Sequence, residues 1–127
     1  MAYNVTWEKQ GVYCKYSGHV SVADFVHLNE EIAKSHDFER LRYQLTDLRD
    51  YDSHNVLKSQ AEGIAALQYA HGFTNDRIFR AVVAVDEDVI ELVKHWVKHH
   101  PTPEKVGLFE TVAEARQWIE ERLQSHY

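Results

Sequence analysis

Cysteine is nearly absent. Cys14 is the single one in 127 residues, which excludes an internal disulfide and fits a reducing cytoplasm. It falls in what reads as a strand, where a small buried side chain explains it better than a nucleophile does. Long apolar runs are missing too. No stretch of eighteen apolar residues occurs, and no basic start leads into an apolar segment, so neither a membrane span nor a secretion signal is expected. Positive charge is scarce: 14 Lys and Arg stand against 20 Asp and Glu, a formal net charge of −6. No Lys/Arg cluster offsets that balance, so a nucleic-acid partner is not expected. Repeats, low-complexity runs and linkers are also lacking. A single domain, 1–127, is therefore expected, long enough to bury about two thirds of its unfolded surface.

What the chain does have is one organising stretch, Ile78–Val97. Ile78–Val85 is a valine-rich apolar run broken only by Arg80, the pattern of a central strand covered on both faces. Asp86 can cap the helix that follows, with Glu87 and Asp88 placing negative charge in its first turn. Val89, Ile90, Val93, Trp96 and Val97 then recur as one buried stripe. A buried strand feeding a capped amphipathic helix is half of a βαβ unit.

The rest of the chain supplies further elements. Val5–Gln10 and Val12–Val20 alternate around Gly11 as a hairpin. Ser21 and Asp24 form a capping box for a helix whose inward stripe is Val22, Phe25, Leu28 and Ile32, with Asn29 outside. Leu41–Leu48 is a strand, and the polar run Arg49–Asn55 follows it as a loop in which Asp52 or Ser53 caps a helix from Val56 to about Ala70. After His99-His100-Pro101, Val106–Phe109 is a short strand, and Thr111–Glu114 is a capping box opening the last helix, with Val112, Ala115, Ile119 and Leu123 inward. The expected fold is α/β: a five-stranded mixed sheet in the order ββαβαβαβα, with four helices.

Four groups of residues could carry chemistry. Ser53 at a helix N-terminus is placed where a phosphate is favoured, although Asp50 and Asp52 would repel it and an ordinary N-cap explains it. His95 and His99 are four apart on one helical face, a metal-ligand spacing. No HExxH accompanies them, and Lys94 and Lys98 alternate with them, so a solvated face is the better reading and no metal or cofactor is expected. Strand ends in open α/β sheets bind ligands outside their carboxyl termini. That rule gathers Asp47, Arg49, Tyr51, Asp52, Ser53 and Asp86 as a candidate recognition rim, with Glu110 and Thr111 nearby. Paired acids such as Asp47 and Asp86 could run acid–base chemistry, but both also stand where caps and turn-makers belong. Finally, Trp7, Tyr13, Tyr16, Tyr69, Phe73, Trp96 and Trp118 exceed what the core must hide, and Tyr69–Phe73 is a candidate exposed cluster at a dimer interface or apolar pocket.

The element order, together with VYCKYSGHVS at Val12–Ser21, Thr46-Asp47-Leu48 and RIFRAVVAVDED, resembles the SpoIIAA-like domains, the STAS superfamily of bacterial anti-sigma-factor antagonists and transporter tails. It is most similar to the small single-domain bacterial branch. The resemblance implies a mixed sheet with one antiparallel edge strand and a cytoplasmic protein that works by binding. Signalling members of the family end a strand in an Asp-Leu-Ser type sequence and follow it with an Asp-Ser-Ser/Thr-Gly turn whose serine is phosphorylated. Asp47-Leu48 and Asp52-Ser53 match, which would place phosphorylation on Ser53; His54-Asn55 stand where the family has Ser/Thr-Gly. The function expected is thus a non-enzymatic binding or regulatory module, a homodimer taking a protein partner or a small apolar ligand near Asp47–Asn55. The alternative is a small hydrolase using His95 and His99 or the strand-end carboxylates.

Overall fold

A computed structural model describes the backbone of residues 2–54, 60, 75–100 and 102–125, and the side chains of these except for 51–54. Within them, β1 is Tyr3–Trp7, β2 Gly11–Val20, α1 Val22–Lys34, β3 Tyr43–His54, β4 Phe79–Val83, α2 Glu87–Lys98, β5 Val106–Phe109 and α3 Val112–Ser125. Short 3-10 turns at Phe38–Arg40 and Pro103–Lys105 precede β3 and β5. The helix expected from Val56 to Ala70 lies outside the described residues apart from Gln60, which is helical. No described helix is long and apolar enough to cross a membrane.

The five strands form one sheet in chain order, β1-β2-β3-β4-β5, with β1 antiparallel to β2 and every other pair parallel. The valine-rich run is interior, and all five residues of β4 are buried. The middle place nevertheless belongs to β3, because β5 leaves β4 only one strand from the border. A parallel sheet laid down in chain order by crossovers of one hand puts its crossover helices on a single face. Accordingly α1 and α2 share one face, where Leu28, Ile32, Val89, Val93 and Trp96 pack on Val12, Cys14, Tyr16, Leu48 and Val82. The opposite face, formed by Tyr43, Leu45, Phe79, Ala81 and Val83, is covered by Ala115, Ile119 and Leu123 of α3.

Local chemistry sets the boundaries. The Glu8 N–H donates to the Gly11 carbonyl (2.8 Å), so residues 8–10 make the hairpin turn and β1 starts earlier than the alternation suggests. Gly11 is required there, since a Cβ would come within 2.4 Å of the Tyr43 ring lying across it. The first capping box is complete, and the second keeps its N-cap bond, with the Thr111 hydroxyl donating to Glu114 Oε1 (3.0 Å) in place of a bond from the Thr111 N–H. Ser21 Oγ accepts from the Asp24 N–H (3.4 Å) while Asp24 Oδ2 accepts from the Ser21 N–H (2.8 Å), and Thr111 Oγ1 accepts from the Glu114 N–H (3.1 Å). Asn29 is buried rather than outward, its amide donating to the Phe25 carbonyl (2.8 Å) one turn back. Asn75 clamps the entrance to β4, donating to the carbonyls of Phe38 (2.7 Å) and Leu41 (2.8 Å).

The largest correction concerns β3. It runs on past Leu48 to His54, paired with β2 through Ser17↔Asp50, Gly18↔Tyr51, His19↔Ser53 and Val20↔His54. Two register shifts, one between Lys15 and Ser17 and one at Gly18, accommodate extra residues on the β3 side. Gly18 takes φ +71 at the second shift, a left-handed conformation that favours glycine. Asp52 and Ser53 therefore belong to a strand and do not head a helix.

Candidate functional site

Past the end of β4, the paired β2 and β3 continue alone, and the polar side chains at that junction form the candidate site. Asp47 alternates with Tyr43 and Leu45 and so faces the α3 side of the sheet, opposite Lys15 on β2 and Val83 on β4. It is fully buried at 0% exposure. An isolated carboxylate could not stay ionised there. Asp47 is instead saturated with donors: the Tyr13 hydroxyl (2.6 Å), Arg49 Nε (2.9 Å), Arg49 Nη2 (2.8 Å) and the Arg49 backbone N–H (3.1 Å). Burial pushes its pKa up, but the Arg49 and Tyr13 hydrogen bonds outweigh burial and hold it at about 2. The same contacts act in reverse on the partners. Burial and then Asp47 raise the Tyr13 phenol, and the hydrogen bond to Asp47 raises Arg49. Arg49 and Asp47 lie two apart on one strand, which puts both side chains on one face, and the guanidinium folds back in a fork onto the carboxylate.

Beside this cluster, Lys15 Nζ pairs with Asp50 Oδ2 at 2.8 Å in an exposed ion pair. On the other side lies a second network. Arg116 of α3 clasps Glu8 with two bonds (3.0 and 2.9 Å), and the Tyr43 hydroxyl also donates to Glu8. The Arg116 guanidinium stands 5.7 Å from the centre of the Tyr13 ring, linking the two networks. Glu8 is lowered chiefly by its bond to Arg116, while burial and then Glu8 push Tyr43 up to about 12. The result is one polar strip along the edge of α3, running Glu8, Arg116, Tyr13, Asp47, Arg49.

Of the expected rim, the structure brings together only Asp47 and Arg49. The side chains of Tyr51, Asp52 and Ser53 lie outside those described. Asp86 is exposed, and its Oδ1 accepts from the Asp88 N–H (2.9 Å), the N-cap role. His95 and His99 have rings 4.4 Å apart, and His99 Nδ1 lies 3.0 Å from the His95 carbonyl. Among the described residues, no three His, Cys, Asp or Glu side chains are grouped to hold a metal. Cys14 is buried, and burial drives its thiol well above its usual value, the condition of an inert cysteine. Trp7 is exposed at 40%, whereas Tyr69–Phe73 lie outside the described residues. Sequence reasoning named Tyr13 only among the surplus aromatics and missed Lys15, Glu8 and Arg116. The face that Tyr13 and Lys15 share was readable, since they alternate with the buried Cys14 and Tyr16, but their register against Asp47 was not.

Comparison with known proteins agrees with this architecture. A family model described as SpoIIAA-like matches residues 12–120. A crystal structure of an uncharacterised DUF3478-family protein with a SpoIIAA-like fold, from Shewanella loihica PV-4, is similar at 13% identity. It aligns with a TM-score of 0.56 over 93% of this chain and 92% of that one. No curated protein matches.

Proposed function

The chain belongs to the SpoIIAA-like family, and from that premise we propose that it is a non-enzymatic binding module whose recognition surface is the strip around Arg49. The supporting observation is the state of Asp47, the strand-end acid best placed for chemistry. Fully buried, saturated with donors and held at about 2, it lies far below the pKa near working pH that a general acid or base needs. Its role is to fix Arg49 and Tyr13. Asp47 takes two of the five side-chain donors of Arg49, and the side chain keeps 38% exposure, so the remaining donors are available to carbonyl or carboxylate acceptors. The flanking Lys15–Asp50 pair makes the surface charged, which suits a protein partner better than an apolar ligand.

The proposal includes self-association as a homodimer, for which exposed Trp7 on the edge strand β1 is the supporting feature, and a cytoplasmic setting, supported by the lone buried Cys14. Ser53 phosphorylation enters as a regulatory step at the same end of β3, tested by intact-mass analysis of protein purified from its source. The central test is a photocrosslinking residue at position 49, compared with one at exposed Val85. Capture of a defined partner from 49 but not from 85, lost on Arg49→Ala with unchanged Tm, supports the site. Equal capture from both positions sinks it. Sedimentation checks the oligomeric state.

A further inference from the structure

The α1/α2 face of the sheet contains a buried cation that no carboxylate among the described residues balances. Arg80 sits in the middle of β4 and is 9% exposed, and its Nε is sealed from solvent without an acceptor. Its register partner on β3 is Gln44, also buried, and on β5 Val106; neither carries a charge. Among the described residues no carboxylate pairs with it, and a buried guanidinium in that condition is strongly disfavoured. Within reach of its charge lies His100, just past the end of α2 and 7% exposed, whose pKa burial and then Arg80 lower. The Thr102 backbone N–H donates to His100 Nδ1 (3.1 Å), so Nδ1 is the acceptor and the ring proton sits on Nε2. That Nε2 is buried and also lacks a partner. Two buried donors on one face, one of them a permanent cation, thus await an acceptor.

We propose that Arg80 and His100 together bind the carboxylate of a small organic acid inside the α1/α2 layer. The guanidinium fork matches the two oxygens of a carboxylate, and the neutral imidazole N–H adds a third donor without adding charge. One cation balances a monoanion; a phosphate dianion would leave net charge buried. The surroundings suit the apolar body of such an acid. Val82 on β4 and Ile78 and Ala84 just beyond its two ends share this face with Arg80, and the Trp96 ring stands edge-on to His100 at 5.2 Å. This site lies on the opposite side of the sheet from the Arg49 strip, so it does not rest on the protein-binding reading.

The test is thermal unfolding of the whole protein with benzoate, acetate, inorganic phosphate or chloride at matched ionic strength. Benzoate is expected to raise Tm saturably, by about 10 °C at a hundredfold excess over Kd, with acetate weaker and phosphate no better than chloride. Arg80→Met should abolish the benzoate shift. No saturable shift in the wild type, an equal shift in Arg80→Met, or an equal effect of phosphate overturns the proposal. Should Arg80→Met fail to fold, the Arg80 Nε–H resonance of wild-type protein decides. It moves on titration with benzoate if the site exists and stays in place if it does not. Photocrosslinking from position 49 reports separately on the other face.

Discussion

Two charged residues are buried in neighbouring strands of this sheet, and they are treated in opposite ways. Asp47 on β3 is at 0% exposure and has every lone pair engaged; Arg80 on β4 is at 9% exposure with its Nε empty. The first is a finished internal structure and the second an unfinished one. Burial alone therefore does not tell a structural charge from a functional one. What separates them is whether the described residues around each supply the complementary groups.

Removing the acid should have the largest effect. Asp47→Ala strands the Tyr13 hydroxyl and leaves Arg49 without its anchor, and it is expected to cost about 2–4 kcal/mol, discounted because Arg49 is partly solvated. The urea midpoint should fall with an unchanged m-value; a loss below about 0.5 kcal/mol would mean that the cluster is not cooperative. Acid titration sharpens the contrast from the other side. His100 is held down to about 4, by burial first and then by Arg80, from an ordinary 6.5. Its neutral form is favoured in the fold, so its contribution is complete above pH 6.5 and is lost as pH falls towards 4. That slope is worth on the order of 2–3 kcal/mol and should vanish in His100→Phe. Asp47 loses its contribution only at lower pH, as the medium falls below the ordinary carboxylate value towards about 2. The two steps should be resolved in a stability–pH curve.

Arg80→Met is expected to act in the opposite direction to Asp47→Ala. Replacing an unbalanced buried cation with an apolar side chain of similar length should leave ligand-free stability unchanged or raise it by about 1–2 kcal/mol. A loss as large as that of Asp47→Ala would break the comparison. Tyr13→Phe should cost about 1.5 kcal/mol, one hydrogen bond to a charged acceptor that keeps its other donors, and shift the titration of Asp47 upward. Smallest of all, Lys15→Ala should leave the urea midpoint indistinguishable from that of the wild type, since its pair with Asp50 is exposed.

The fold was largely legible where side chains obey a single rule. The buried strand within Ile78–Val85, seen at Phe79–Val83, the Asp86 cap and the Thr111 N-cap bond appear as read, because burial and capping each leave a local signature, whereas the central place and a buried Val85 do not. The end of β3 was not legible. Arg49–His54 is polar throughout and reads as a loop, since alternation marks a strand only where one face is buried; here β3 has outrun β4 and pairs with β2 alone. In the site, Asp47 and Arg49 could be joined from their spacing. Tyr13 could not, because the offset between β2 and β3 is set by the whole sheet. Arg80 showed as no more than an interruption in an apolar run, and only the packing around it reveals that no carboxylate among the described residues answers it.

The sheet's two sides are also completed at different times. α1 and α2 come interleaved with the strands they cover, whereas α3 follows every strand it covers. As the chain emerges from the ribosome, Tyr43, Leu45, Phe79 and Val83 must wait wet and adhesive until residues 112–125 have been made, at about 5–20 residues per second. A stall between β5 and α3 would leave a nascent sheet with one greasy side bare, the condition in which a chaperone is most needed.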